Sequence, residues 1–173
     1  MIPELATFAG GCFWCMEPPF ARLKGVLLVV PGYTGGSREN PAYEEVSSGT
    51  TGHIEAVRVE YHPAKLSYEK LLDVFWRQID PMDAEGQFSD KGSQYKTAIF
   101  FHSQEQKRLA EESKRRLERE RFGRPLATLI LPAAEFYMAE EYHRQFHKKD
   151  PRGYKSYRLL SGREEYRKNT WGE

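Results

Sequence analysis

What narrows the fold most is the order in which strand-like and helix-like stretches succeed one another, because that order keeps no regular βαβ rhythm. Residues 4–8 read as a short strand ending at Gly10-Gly11. A helix follows from about Cys12 to Leu23, with Phe13, Phe20 and Leu23 on one face, Pro18 and Pro19 early in it, and Gly25 as its stop. The apolar run 26–30 fits a buried strand leading into the glycine-rich loop 31–36. The stretch 43–52 reads as mostly irregular with a helical turn, and 56–61 alternates as a half-buried strand. Ser67 caps a helix bearing Tyr68, Leu71, Leu72, Phe75 and Ile79 and ending before Pro81.

Residues 82–95 read as a long polar loop, a length that often carries function, and 96–102 as another strand. The clearest helix covers 104–122, where Glu111–Arg115 and Glu112–Arg116 are spaced as (i, i+4) pairs. A strand at 126–131 and a short helix from about 139 to 147 follow, and the tail shows little periodicity. No repeat, linker or low-complexity block divides the chain. The expectation is one domain over 1–173, of α/β (α+β) class, with two layers.

Composition sets the bounds. At 173 residues, with ten Phe, ten Tyr and three Trp, the chain is large and aromatic enough to bury a core without cross-links. A formal net charge of +1 gives no reason to expect nucleic acid or an anionic membrane as partner. No apolar run approaches the ~20 residues that span a bilayer. The first residues lack the basic and apolar regions of a signal peptide, so a cytoplasmic monomer is expected.

Only two cysteines occur, in Gly10-Gly11-Cys12-Phe13-Trp14-Cys15. A bridge between them closes too small a loop to constrain an unfolded chain usefully. If Cys12 stands at the first turn of a helix, free amides and the helix dipole favour its thiolate, and Cys15 lies within disulfide reach one turn on. The residues alone leave three readings open: a redox pair, a zinc site completed by His143 and His147, or two small core hydrophobes. Within redox chemistry, a general thiol–disulfide oxidoreductase is the rival to a more specialised enzyme.

Longer blocks carry more information. Gly11-Cys12-Phe13-Trp14 with Glu17 resembles the signature of the peptide methionine sulfoxide reductase A family. The resemblance continues through 32–36, Asn40-Pro41-Ala42-Tyr43-Glu44-Glu45-Val46, Gly52-His53-Ile54-Glu55-Ala56-Val57, 89–95 and Ala139-Glu140-Glu141-Tyr142-His143. It implies a ferredoxin-like mixed sheet flanked by helices. It also implies reduction of methionine-S-sulfoxide, free or in proteins, with no metal or organic cofactor and with an external dithiol, thioredoxin or dithiothreitol, as reductant.

Residue by residue, the resemblance makes Cys12 the nucleophile and Glu55 the acid that protonates the sulfoxide oxygen. Tyr43 and Tyr95 become the hydroxyls that hold that oxygen, Asp90 a polar member of the site, and Phe13 and Trp14 the walls for the substrate methyl. Without it, Glu55 reads as an exposed carboxylate, the tyrosines as packing, Asp90 as an Asx turn and His53 as scaffold. One departure matters. Many relatives carry recycling cysteines after a Gly-Tyr pair in the tail, whereas here Gly153-Tyr154 precedes Lys155 and no cysteine follows Cys15. The resolving role then falls to Cys15 or to an external thiol.

Overall fold

The computed structural model describes residues 2–173. Strand β1 (Glu4–Gly10), helix α1 (Phe13–Ala21), strand β2 (Val26–Thr34), the short helix α2 (Tyr43–Ser47), strand β3 (Ile54–Tyr61) and helix α3 (Tyr68–Trp76) make up the first half. A small hairpin, β4 (Gly86–Gln87) and β5 (Asp90–Lys91), precedes strand β6 (Thr97–Phe101) and helix α4 (Gln104–Leu117). Two edge strands follow, β7 (Leu129–Pro132) and β8 (Phe136–Met138), then helices α5 (Phe146–Lys149), α6 (Pro151–Leu160) and α7 (Arg163–Trp171).

The main sheet has the order β7-β6-β1-β3-β2-β8. Its central strands β6-β1-β3-β2 are antiparallel, with α1 joining β1 to β2 and α3 lying between β3 and β6. That is the split βαββαβ arrangement of a ferredoxin-like fold. The edge strand β7 pairs parallel with β6 and makes the sheet mixed. Alternation along the strands decides the two faces. Ala6, Phe8, Val57, Val59 and Ile99 lie in the core under the helices, where Phe8 stacks on Phe20 at 5.1 Å and on Phe75 at 5.2 Å. The other face carries Ala9, Ala56, Ala98 and Phe100.

Several local expectations need correction. Strand β2 runs through Pro31-Gly32-Tyr33-Thr34, read from sequence as loop, because β3 on one side and β8 on the other pair with it. At Gly32 a Cβ would fall 2.4 Å from the Tyr137 carbonyl oxygen, which accounts for the glycine in a paired strand. Pro18 and Pro19 lie in the interior of α1, not its first turn. The polar stretch 82–95 holds the β4–β5 hairpin and a 3-10 turn at Ser93–Tyr95.

Helix α4 gives way to a π turn at Glu118–Phe122, and its ion pairs join Arg108 to Glu105 and, at (i, i+4), to Glu112 (2.8 Å), in place of the expected Glu111–Arg115 and Glu112–Arg116. The predicted helix 139–147 is broken: a 3-10 turn Glu141–His143 is separated from α5 by Gln145 at φ 54. The tail is helical, as α6 and α7, and packs back onto the first half of the chain.

Candidate active site

The site is built where β1 ends and α1 begins. Gly11, at φ +84, turns the chain so tightly that a Cβ would sit 2.7 Å from Gln87 and 3.1 Å from the Arg163 guanidinium. Cys12 follows as the N-cap of α1 and contributes no side-chain cap to it. The Phe13 amide, an orphan donor of the first turn, instead reaches across to Glu55 Oε1 at 3.2 Å. Glu55 arrives there on β3, paired opposite Tyr33, and by the two-residue period shares the helix-covered face with Val57 and Val59.

Glu55 is only 1% exposed. Burial pushes its carboxyl up to about 8, against the pull of the Phe13 amide, with Asp90 and Cys15 adding to the rise. The group therefore holds its proton at neutral pH. The exposed carboxylate that the residues alone suggested is not what β3 presents.

Cys12 is 7% exposed and Cys15 fully buried. Their order of ionisation reverses the expectation for a cysteine at a helix start. Burial pushes the Cys12 thiol well up, as do its hydrogen bond to Cys15 and the nearby Glu55. Accepting that bond from Cys12 lowers Cys15, with Arg163 and Arg158 adding to the pull against burial. Glu55 also takes the Phe13 amide at the helix start, and Arg158 donates to the Cys15 carbonyl.

Aromatic groups form the wall beside Cys12. Trp14 stacks on Phe146 at 4.0 Å, and its Nε1 donates to His143 Nδ1 at 3.0 Å. Phe13 is buried under the wall, 5.1 Å from the His143 ring, and Tyr43 lies 4.4 Å from the same ring. Burial lowers the His143 ring below its ordinary range, in keeping with a neutral acceptor for the indole. Burial raises the hydroxyls of both Tyr43 and Tyr95, with Glu55 contributing in each case. Asp90, on β5, accepts from the Tyr157 hydroxyl of α6.

The structure thus gathers Cys12, Cys15, Phe13, Trp14, Tyr43, Glu55, Asp90 and Tyr95 around the start of α1. His143 and His147 do not form the helical pair that the zinc reading needed, since His147 lies against Glu17 at 3.7 Å on the far side of the Gln145 break. His53 anchors a loop: its Nδ1 accepts from Gly36 N at 3.1 Å and its Nε2 bonds to the Arg38 carbonyl at 2.7 Å. Sequence reasoning missed Glu140, which accepts from the Tyr33 hydroxyl at 2.7 Å and the Tyr43 amide at 2.9 Å. It also missed Tyr157, Arg158 and Arg163, which come from a tail whose helices carry no clear apolar period.

This arrangement can pair a sulfur nucleophile with a neutral acid beside an apolar wall. The profile of the family described as Peptide methionine sulfoxide reductase matches residues 4–173. A curated relative from Bacillus licheniformis, Peptide methionine sulfoxide reductase MsrA, is 57% identical over 170 residues, 98% of this chain and 94% of that protein. The chain belongs to the peptide methionine sulfoxide reductase family. Membership makes it an oxidoreductase of oxidised methionine.

Solved structures share the fold. Reduced Mxr1 from Saccharomyces cerevisiae matches with a TM-score of 0.83 at 31% identity, covering 88% of each chain. Mxr1 in complex with Trx2 matches with a TM-score of 0.58 at 24% identity, covering 82% of this chain and 84% of that one, a likeness of fold.

Proposed function

We propose that this reductase is specific for the S epimer of methionine sulfoxide, free or within proteins, and works through a Cys12 sulfenic acid and a Cys12–Cys15 disulfide. The observation that carries the reading is Glu55: a buried carboxyl, raised to about 8 and bonded to the amide next to Cys12. A sulfoxide oxygen leaves only once protonated, and Glu55 brings a proton to the place where sulfur is attacked.

Cys12 hands its proton to the Cys15 thiolate as its sulfur attacks the sulfoxide sulfur. Glu55 protonates the oxygen, whose developing charge the Tyr43 and Tyr95 hydroxyls stabilise. The sulfur–oxygen bond of the substrate breaks as oxygen passes to Cys12, so methionine leaves and Cys12 becomes a sulfenic acid. Trp14, backed by the buried Phe13, receives the substrate methyl and keeps water away, while Asp90 and Tyr157 close the opposite rim. Cys15 then attacks the oxidised Cys12 sulfur, the S–O bond breaks, and water departs as the disulfide forms. A dithiol of thioredoxin type restores both thiols by exchange. Mxr1 having been captured with Trx2 supports that choice of partner. No metal or organic cofactor enters these steps.

The chain acts as a single catalytic domain, as a monomer in the cytoplasm. No helix among the described residues is long and apolar enough to cross a membrane.

The test is Glu55→Gln, which keeps the acceptor for the Phe13 amide and removes the proton. Turnover of methionine sulfoxide falls by about 10²-fold or more, while Cys12 still reacts with a thiol reagent. A general thiol–disulfide oxidoreductase needs no such acid. Undiminished sulfoxide turnover in the variant removes Glu55 from the reaction.

A further inference from the structure

Arg163 is the largest fully buried side chain among the described residues, 1% exposed, and it comes from the first turn of α7. Its Nη1 donates to the Gln78 carbonyl at 2.7 Å and lies 3.7 Å from Met16 Sδ; its Nη2 donates to the Gly10 carbonyl at 2.9 Å. The guanidinium lies 4.8 Å from the centre of the Phe88 ring, and its buried Nε has no hydrogen-bond partner. Gly10 and Met16 flank the cysteine pair on either side, so the charge is placed against the Cys12–Cys15 turn.

An arginine does not shed its proton in a protein, and a fully buried cation without an opposite charge is strongly destabilising. Carboxylates balance the arginines nearest in sequence: Glu164 pairs with Arg158 and with Arg167, and Glu173 with Arg167. Among the described residues no carboxylate pairs with Arg163. The charged or titratable groups that face it are Cys15, Arg158, Cys12 and Asp90. Asp90 is engaged with the Tyr157 hydroxyl, and Arg158 carries the same sign of charge. The anion left to balance Arg163 is a thiolate.

We infer that Arg163 is a positioning residue that takes the Cys15 thiolate as its counter-ion, so that a helix at the C-terminal end of the chain keeps the resting charge of the dithiol pair on Cys15. A second contact fixes the partner. Pro19 has no N–H for the Cys15 carbonyl, and that free acceptor takes Arg158 Nη1 at 3.1 Å. The two arginines thereby hold the backbone and the charge of one residue. Tyr154, Glu55 and Asp90 also face Cys15, and an anionic Glu55 or Asp90 opposes the effect.

The inference rests on the proposed cycle for its use. There the charge serves twice. Cys15, passing to the departing oxygen the proton it took from Cys12, attacks the Cys12 sulfenic sulfur as a thiolate, and the S–O bond breaks with oxygen leaving as water. In the return step an incoming dithiol attacks Cys12, the more exposed sulfur, and the S–S bond breaks with Cys15 leaving as a stabilised thiolate.

The test is titration of the reduced protein by its ultraviolet thiolate absorbance, in the wild type, Arg163→Met and Arg163→Lys. Removing the charge moves the first ionisation up by about one unit or more, and lysine restores most of it. Disulfide formation after a single turnover slows about threefold per unit, since the loss of thiolate is partly offset by a stronger nucleophile. An unshifted titration in a folded Arg163→Met overturns the inference. A second measurement does not depend on that variant folding: nuclear magnetic resonance of wild-type protein labelled with carbon-13 at cysteine Cβ shows which thiol ionises first. Cys15 first is expected, and Cys12 first overturns the inference. Neither titration uses a sulfoxide, so failure of the reductase mechanism would be seen separately, in turnover.

Discussion

Glu55 holds a proton at neutral pH at the expense of the fold. Its ordinary value near 4.5 rises to about 8 because burial disfavours the anion. Below about pH 4.5 the carboxyl is protonated in both folded and unfolded chains and costs nothing. As pH rises toward 8 the unfolded chain releases that proton while the folded one keeps it, so stability is progressively lost through this window. Glu55→Gln, which cannot ionise, therefore gains stability over the wild type by a few kcal/mol at pH 8 and little at pH 4.5, as thermal melts at the two values measure. The same ionisation sets the reaction: single-turnover reduction falls as pH rises through about 8. A Gln variant no more stable than wild type at pH 8 contradicts the buried, protonated carboxyl. The block around Glu55 named it as the acid through the family resemblance, but its burial was not legible, since alternation marks which residues share a face and not that a helix start covers this one.

One turn of α1 holds both sulfurs, with Cys12, the proposed nucleophile, at its N-cap and Cys15, the proposed resolving thiol, three residues on. In Cys15→Ser the attack by Cys12 remains possible, but the sulfenic acid has no internal thiol to meet. The expected outcome is one methionine per enzyme followed by a stall with thioredoxin as reductant, read by product counting. Sustained thioredoxin-driven cycling shows that Cys15 is dispensable. The start and approximate length of α1 were legible from Gly10-Gly11 and Gly25, and those of α3 from Ser67, whose hydroxyl accepts from Lys70 N at 3.1 Å. Two of the misread elements, β2 and the β4–β5 hairpin, share a cause: long-range contacts decided them. Strand β2 continues through glycine and proline because neighbours on both sides supply its hydrogen bonds. The β4–β5 hairpin is held by fully buried Gln87, which bonds to both the amide and the carbonyl of Asp80 at 2.8 Å.

At the scale of the molecule, the ferredoxin-like core is a platform and the tail completes it. The irregular order of strands and helices already excluded a regular parallel sheet. The blocks of residues shared with the reductase family named most of the groups that meet at the start of α1. What they could not show was how α6 and α7 close the site, because these helices turn charged side chains inward, against the usual apolar-in pattern. Neither of the two cysteines lies in the tail, and in the inferred arrangement the tail serves the site by charge. The most direct measurement of the central claim is reduction of the two separated sulfoxide epimers by purified protein with dithiothreitol. The expected result is conversion of the S epimer to methionine with the R epimer left untouched. Failure to convert the S epimer, or equal conversion of both, contradicts it.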